Sequence, residues 1–313
     1  MKKLMNNIKL VSTGKYVPEQ VVTNEDMENI VDTNDEWIFT RTGIKERRKV
    51  KSETTSDMAT YAARDAINKV NYDTSKIDLI VVATFTPDVA SPSAANLVQA
   101  KLGLNDQDVM AFDINAACTG FIYALNVASQ MVNSGFYKSA LVIGSEVLTN
   151  VVNYQDRNTC VLFGDGAGAV IIESTEENKP AYFYTSSKGD LDEVIVVDPL
   201  IRMEGRKVYS FATKILDKSV RVVLENSNTS IGDIDMLIPH QANARIIESA
   251  AKSLEIEMDR VYMNISNYGN TSSASIPMAL DEYIESLKNK ENKKVVLVGF
   301  GGGFTWGAAL LTL

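Results

Sequence analysis

Histidine is nearly missing from this 313-residue chain: the only one is His240, in the run Ile238-Pro239-His240-Gln241-Ala242-Asn243. A mechanism that needs two catalytic histidines is therefore excluded, and so is a zinc site built mainly on imidazole. Cysteine is equally scarce, and the settings of Cys118 and Cys160 differ too much for a disulfide framework. No run of eighteen apolar residues is present to span a bilayer, and the seven prolines form no linker. The basic opening Met1-Lys2-Lys3 is broken by Asn6, Asn7 and Lys9 before a signal-type apolar core can form, so a cytoplasmic protein is expected. Positive charge is in deficit. A net charge of −9 counts against nucleic acid as a partner, and neither a membrane association nor a metal site nor a tightly bound cofactor is expected.

What is present is a globular composition, 45% hydrophobic, able to bury a large core. It also shows signs of internal duplication. Ala62–Val82 and Ser219–Pro239 each read as amphipathic helix, polar loop and apolar strand; Asp108–Cys118 overlays Arg260–Asn270; Ala140–Gly144 matches Val295–Gly299; Ala167–Ile172 matches Gly307–Thr312. Apolar strands alternating with helices predict sheets buried on both faces, hence a layered α/β protein of two halves, 1–173 and 174–313. On this overlay Cys118 and Asn270 stand at equivalent turns between a strand and a helix.

Cys118 precedes a helical run, Phe121, Ala124, Leu125, Ala128, Met131 and Val132, which Gly135 ends. At a helix N-terminus the macrodipole favours the thiolate, so a lowered pKa and a nucleophile are expected there, whereas Cys160 lies in the apolar run Cys160-Val-Leu-Phe and reads as inert. His240 follows an apolar strand, the edge where α/β sheets collect catalytic groups. Read alone, Asn270 is a turn residue, Trp37 a core residue and Arg41 a surface charge. The runs Phe163–Gly168 and Gly299–Phe304 each precede a strand, not a helix, and lack a Walker lysine; their glycines suit close backbone approach or an amide donor to an oxyanion. Two basic stripes at helical spacing, Lys214-Lys218-Arg221 and Arg245-Lys252, could dock an acidic partner.

Taken together, Ala116-Ala-Cys118-Thr-Gly, Pro239-His240-Gln-Ala-Asn, Tyr268-Gly-Asn270-Thr-Ser and Gly299-Phe-Gly-Gly-Gly-Phe-Thr-Trp-Gly307 resemble the β-ketoacyl-acyl-carrier-protein synthases III of the thiolase superfamily. The likeness runs nearly end to end and takes in Asp32–Ile38, Arg41–Arg47 and Phe163–Ala169. It implies a thiolase-like, five-layered αβαβα fold. It implies a decarboxylating condensation that opens fatty acid synthesis: Cys118 takes an acyl group from acyl-CoA, and His240 with Asn270 serves the thioester carbonyl of malonyl-acyl carrier protein. The amides of Cys118 and Gly302 would form an oxyanion hole. Trp37, Arg41, Arg157 and Asn243 would line the coenzyme A site, Asn243 also as an amide near the histidine, with Thr33-x-x-Glu36 capping the helix of Trp37. Lys214 and Arg245 would dock the carrier protein, and a homodimer is implied. Two departures bear on specificity. Ser91-Pro92-Ser93 replaces a Phe-Pro-Ser motif whose phenyl closes the partner's primer pocket, so longer or branched primers are expected, and Ser187–Met203 is shorter than usual. The alternative is an accessory condensing or acyl-transferring enzyme of a specialised pathway.

Overall fold

In the computed structural model, which describes residues 4–313 and side chains from Asn6 onward, the chain opens with a long strand, β1 (Leu4–Tyr16). A small ribbon follows: β2 (Gln20–Thr23) pairs with β3 (Glu46–Lys49) around the short helices α1 (Asn24–Glu28) and α2 (Asp35–Thr42). The first repeat is then α3 (Thr55–Lys69), β4 (Leu79–Ala83), α4 (Ala94–Lys101), β5 (Met110–Ile114), α5 (Gly120–Asn133), β6 (Ser139–Glu146), α6 (Arg157–Cys160) and β7 (Gly166–Ser174). After β8 (Pro180–Ser187) and the ribbon β9 (Ile195–Val197) with β10 (Ile201–Met203), the second repeat begins. It comprises α7 (Gly205–Ser227), β11 (Met236–Pro239), α8 (Ala244–Leu254), α9 (Ile265–Tyr268), α10 (Ser275–Ser286), β12 (Lys294–Gly301) and β13 (Thr305–Thr312).

The strands lie in the order β11-β12-β13-β8-β1-β7-β6-β4-β5. β1 passes from one sheet to the other: Leu4–Asn7 pairs with β8, and from Ile8 onward the strand pairs with β7. The two sides repeat one pattern. β4 is parallel to β6, then β7 and β1 follow antiparallel; β11 is parallel to β12, then β13 and β8 follow antiparallel. A single parallel bridge, Leu237 to Val261, stands where β5 stands beside β4. Strands β4 and β6 are buried at every residue, which is why they read as unbroken apolar runs.

Helices α5 and α10 fill the space between the sheets. Phe121, Leu125, Ile276 and Leu280 pack there against Val81 and Val142 on one side and Leu297 and Ala309 on the other. Outside, α3 and α4 cover one sheet through Met58, Ala62 and Val98, while α7 and α8 cover the other through Leu216, Val220, Ile247 and Leu254. The layers are αβαβα and internally duplicated, as the sequence pattern implied. Each fully buried large apolar side chain contributes about 1.5–3 kcal/mol, so these three clusters dominate the stability.

One detail of the repeat differs from the overlay. Ala117 (φ 48°) and Ser272 (φ 50°) both open a single 3₁₀ turn, and α5 and α10 begin three residues later at Gly120 and Ser275. The offset at the turns is thus 155 (272 − 117), the same as between Gly144 and Gly299 in β6 and β12 (299 − 144). Cys118 is therefore matched by Ser273, not by Asn270. The stretch from Val261 to Ser272 is longer than its counterpart from Ala111 to Ala117, and within it Asn270 forms a parallel bridge to Phe163.

Candidate active site

Four turns converge on one cavity of about 1130 Å³. They carry Cys118 before α5, His240 after β11, Asn270 before α10, and Gly301–Gly303 between β12 and β13. Glycine is needed at the hairpin, because a Cβ on Gly301 would lie 2.7 Å from the Cys118 amide nitrogen and Gly303 sits at φ 125°. Gly301 is thereby packed directly against the Cys118 amide at the cavity wall.

His240 is 1% exposed, and burial pushes its pKa down to about 3, so the imidazole is neutral. Its Nδ1 lies 2.7 Å from Ser275 Oγ, which accepts from the Gln241 amide at 3.4 Å and so has its own proton free for Nδ1. With the Ser275 hydroxyl donating to Nδ1, the ring proton is on Nε2. Phe300 meets the ring edge-on at 5.7 Å between centroids and helps hold its plane. Asn270 accepts the Ser272 amide on Oδ1 at 2.9 Å, which leaves its Nδ2 protons for the cavity. The two side chains are thus fixed as neutral N–H donors.

Cys118 is half-buried, and Ser272 Oγ donates to its Sγ at 3.2 Å. The expected lowering of its pKa is not what the surroundings produce. Burial pushes the thiol up to about 12, and the Ser272 hydrogen bond opposes this. With desolvation as the largest effect, the resting group is a thiol. Cys160, 2% exposed behind Phe163, is also held up, at about 11, by burial.

The cavity mouth is basic and aromatic. Asn34, not Thr33, caps α2 by accepting from the Trp37 amide at 2.7 Å, so the Thr33–Glu36 capping pair does not form; Thr33 Oγ1 is buried and has no hydrogen-bond partner among the described residues. Arg41 and Arg157 guanidiniums lie 4.6 and 4.9 Å from the Trp37 ring. Trp37, Arg41, Asn243 and Arg245 line the cavity, whereas Arg157 reaches it only through Trp37 and bonds the Asp32 carbonyl at 2.8 Å. Asn243 caps α8 and donates to the Arg41 carbonyl at 3.0 Å, tying the two sides of the mouth together instead of bonding His240. Lys214 is exposed on α7 outside the cavity, and Ser91 is exposed and does not line the cavity of its own chain.

Residues 224–313 match the family model described as 3-Oxoacyl-[acyl-carrier-protein (ACP)] synthase III C terminal, and residues 112–189 match that of 3-Oxoacyl-[acyl-carrier-protein (ACP)] synthase III. The β-ketoacyl-[acyl-carrier-protein] synthase III of Acholeplasma laidlawii is 54% identical, with 98% of each chain covered. That of Clostridium acetobutylicum is 50% identical, covering 98% of this chain and 99% of its own. This chain belongs to the β-ketoacyl-acyl-carrier-protein synthase III family. The crystal structure of the Aquifex aeolicus synthase III superposes with a TM-score of 0.95 at 47% identity, over 98% of this chain and 100% of the other.

Several cavity residues of this synthase were not visible in its sequence. Ser272 and Ser275 sit in the run Asn270-Thr-Ser-Ser-Ala-Ser275, which reads as helix-capping chemistry until the fold sets it beside Cys118 and His240. Arg206 lines the mouth from the first turn of α7, upstream of where the helical pattern was taken up at Ser219. Phe85, after β4, and Ile195, Val197, Ile201 and Met203 of the β9–β10 ribbon form the apolar wall. The ribbon lies in the segment Ser187–Met203. Among the described residues no group of three His, Cys, Asp or Glu could hold a metal, and no helix is long and apolar enough to cross a membrane.

Proposed function

We propose that the chain condenses an acyl-CoA primer with malonyl-acyl carrier protein, releasing carbon dioxide and coenzyme A and leaving a 3-oxoacyl-acyl carrier protein. The observation that carries this is the meeting of a thiol, two neutral N–H donors and a glycine turn in one cavity with an arginine-lined mouth. Cys118 attacks the acyl-CoA carbonyl; its proton ends on the departing coenzyme A sulfur, and the amides of Cys118 and Gly302 stabilise the tetrahedral oxyanion. Because the thiol rests protonated, attack and proton loss are coupled. His240 Nε2–H and Asn270 Nδ2–H then donate to the malonyl thioester carbonyl while the carboxylate leaves as carbon dioxide. The enolate carbon attacks acyl-Cys118, the thiolate is expelled, and it takes up a proton from water to restore the thiol.

Arg41, Arg206 and Arg245 at the mouth supply the positive charge that an overall acidic protein otherwise lacks, suited to the phosphates of coenzyme A and to the phosphopantetheine arm of a carrier protein. Trp37 offers a stacking face for adenine, held between Arg41 and Arg157. Arg245 and Lys214 are the docking contacts we assign to the carrier. The relatives at 50–54% identity are named synthases III, which favours primary fatty acid synthesis over a specialised pathway. The enzyme works as a homodimer in the cytoplasm, without a resident cofactor, and takes medium or branched primers because Ser91 leaves the partner's pocket open.

The test is to incubate the protein with acetyl-, butyryl-, isobutyryl- and octanoyl-CoA and weigh it. A mass gain of one acyl group, lost on adding malonyl-acyl carrier protein with appearance of the 3-oxoacyl product, is expected. Release of free acid without condensation would overturn the reading in favour of a thioester hydrolase.

A further inference from the structure

The buried carboxyl of Glu146 has no part in the reaction as written, yet it stands at a telling place. It ends β6, and at the 155-residue offset its counterpart is Gly301 (301 − 146), the residue lying against the Cys118 amide. Its neighbour Ser273 is the counterpart of Cys118 itself. Glu146 and Ser273 thus fill the second half's copy of the nucleophile site.

The hydrogen bonds around Glu146 join two parts of the active cavity. Oε2 accepts from Thr84 Oγ1 at 3.0 Å, from the Phe85 and Thr86 amides at 3.2 Å each, and from Thr86 Oγ1 at 2.6 Å. These hold the segment from which Phe85 enters the apolar wall. Oε1 lies 2.8 Å from Ser273 Oγ, and Ser273 Oγ lies 2.9 Å from the Ala83 carbonyl. A hydroxyl has one proton, and the Ala83 carbonyl can only accept. The pair is satisfied when Oε1 carries a proton and donates to Ser273 Oγ. Complete burial pushes the Glu146 pKa up to about 7, in the same direction, against the lowering by the hydrogen bonds from Thr86, Ser273, Phe85 and Thr84.

We propose that Glu146, as a neutral carboxylic acid, is a positioning residue that fixes both the primer-facing Phe85 and the Ser272–Ser273 turn that holds the Cys118 sulfur. The carboxyl acts through others: along one arm Oε2, the Thr84–Thr86 segment and Phe85; along the other Oε1, Ser273, Ser272 and Cys118. Primer selectivity and thiol reactivity are thereby set by one buried group that touches neither substrate. Glutamine reproduces the arrangement, with its carbonyl oxygen in place of Oε2 and its N–H donating to Ser273; alanine reproduces neither arm.

This inference rests on the acyl-transfer reading, and two readouts separate it from that reading. One is the ratio of kcat/KM for octanoyl-CoA to that for acetyl-CoA in Cys118 acylation. The other is the rate of Cys118 alkylation by iodoacetamide, which needs no acyl substrate. Glu146→Ala is expected to move both by on the order of 10- to 100-fold, the scale of an ångström-sized misplacement, and Glu146→Gln to restore both to within about threefold of the parent, an isosteric rescue. Phe85→Ala should move only the primer ratio and Ser272→Ala mainly the alkylation rate. A soluble Glu146→Ala protein with both parental values would overturn the proposal, as would a Gln variant as impaired as the Ala variant. Should Glu146→Ala fail to fold, Thr86→Val and Phe85→Ala decide it: unchanged primer ratios in both refute the Phe85 arm. An absence of acylation in the parent would instead refute the acyl-transfer reading, leaving the alkylation arm to stand or fall alone.

Discussion

Cys118 and Cys160 have the same side chain and opposite prospects. Both are held protonated by burial, but Cys118 opens on the cavity and receives the Ser272 hydrogen bond, while Cys160 packs with Ile38, Ile44 and Leu148 under α2. Cys118→Ala should abolish acylation by any acyl-CoA, whereas Cys160→Ala should leave it within about twofold, its cost confined to a small core truncation of the order of 1 kcal/mol. Intact-mass spectrometry reads both, and an acylated Cys118→Ala protein would sink the mechanism. His240→Ala and Asn270→Ala should behave differently again. The acyl-enzyme should still form, but malonyl decarboxylation should fall by about 10²–10³ for each lost donor. Measuring carbon dioxide release separately from acylation checks this; a parental condensation rate in either variant would refute the donor roles. Equal loss in both half-reactions would show His240 drawing the proton from the thiol.

At the scale of elements, the sequence was most legible where burial is complete. The buried residues of β4 and α8 are all apolar and those of α5 nearly so, Ser129 excepted, while Gly135 at φ 80° follows α5 and the Asn243 cap opens α8. It was least legible where polar residues have two uses. Thr33 and Asn34 are both good caps, and only the backbone decides that Asn34 takes the helix. The serines after Asn270 look like capping residues and are also the partners of Cys118 and His240. The thiol pKa was misread because the helix-end field is local and visible in sequence, while desolvation depends on everything packed around it. The mouth illustrates what elements do together: α2 presents Trp37 and Arg41 one turn apart, and α8 begins at the Asn243 cap that bonds the Arg41 carbonyl. Trp37→Ala should therefore raise KM for acyl-CoA about tenfold, a loss of about 1.4 kcal/mol of stacking, and leave the decarboxylation step of the preformed acyl-enzyme unchanged. Steady-state and single-turnover rates measured side by side distinguish these. A fall in single-turnover decarboxylation would mean that α2 positions more than coenzyme A.

At the scale of the whole molecule, two buried titratable groups, His240 after β11 and Glu146 at the end of β6, make opposite demands on pH. His240 has its pKa pushed by burial from 6.5 to about 3, so the unfolded chain takes up its proton first; stability is full above pH 6.5 and is lost as pH falls toward 3. Glu146 has its pKa raised by burial from 4.5 to about 7, so the folded chain keeps the proton longer. That contribution is full below pH 4.5 and is lost as pH rises through about 7. Between pH 4.5 and 6.5 the two slopes oppose each other, and their net effect on the parent is close to flat. Removing one group exposes the other. Glu146→Gln should melt higher than the parent at pH 8 by a few degrees, roughly what one to two kcal/mol yields in a chain of this size. The two melting temperatures should converge as pH falls toward and below 4.5, where Glu146 becomes neutral in the unfolded chain as well as the folded one. His240→Asn should show the converse, a gain over the parent that grows as pH falls below 6.5. Melting curves of the three proteins from pH 4.5 to 8 provide the test. A Glu146→Gln difference that does not change with pH would mean that Glu146 is ionised in the folded protein, and the proton assigned to its Oε1 would have to be given up.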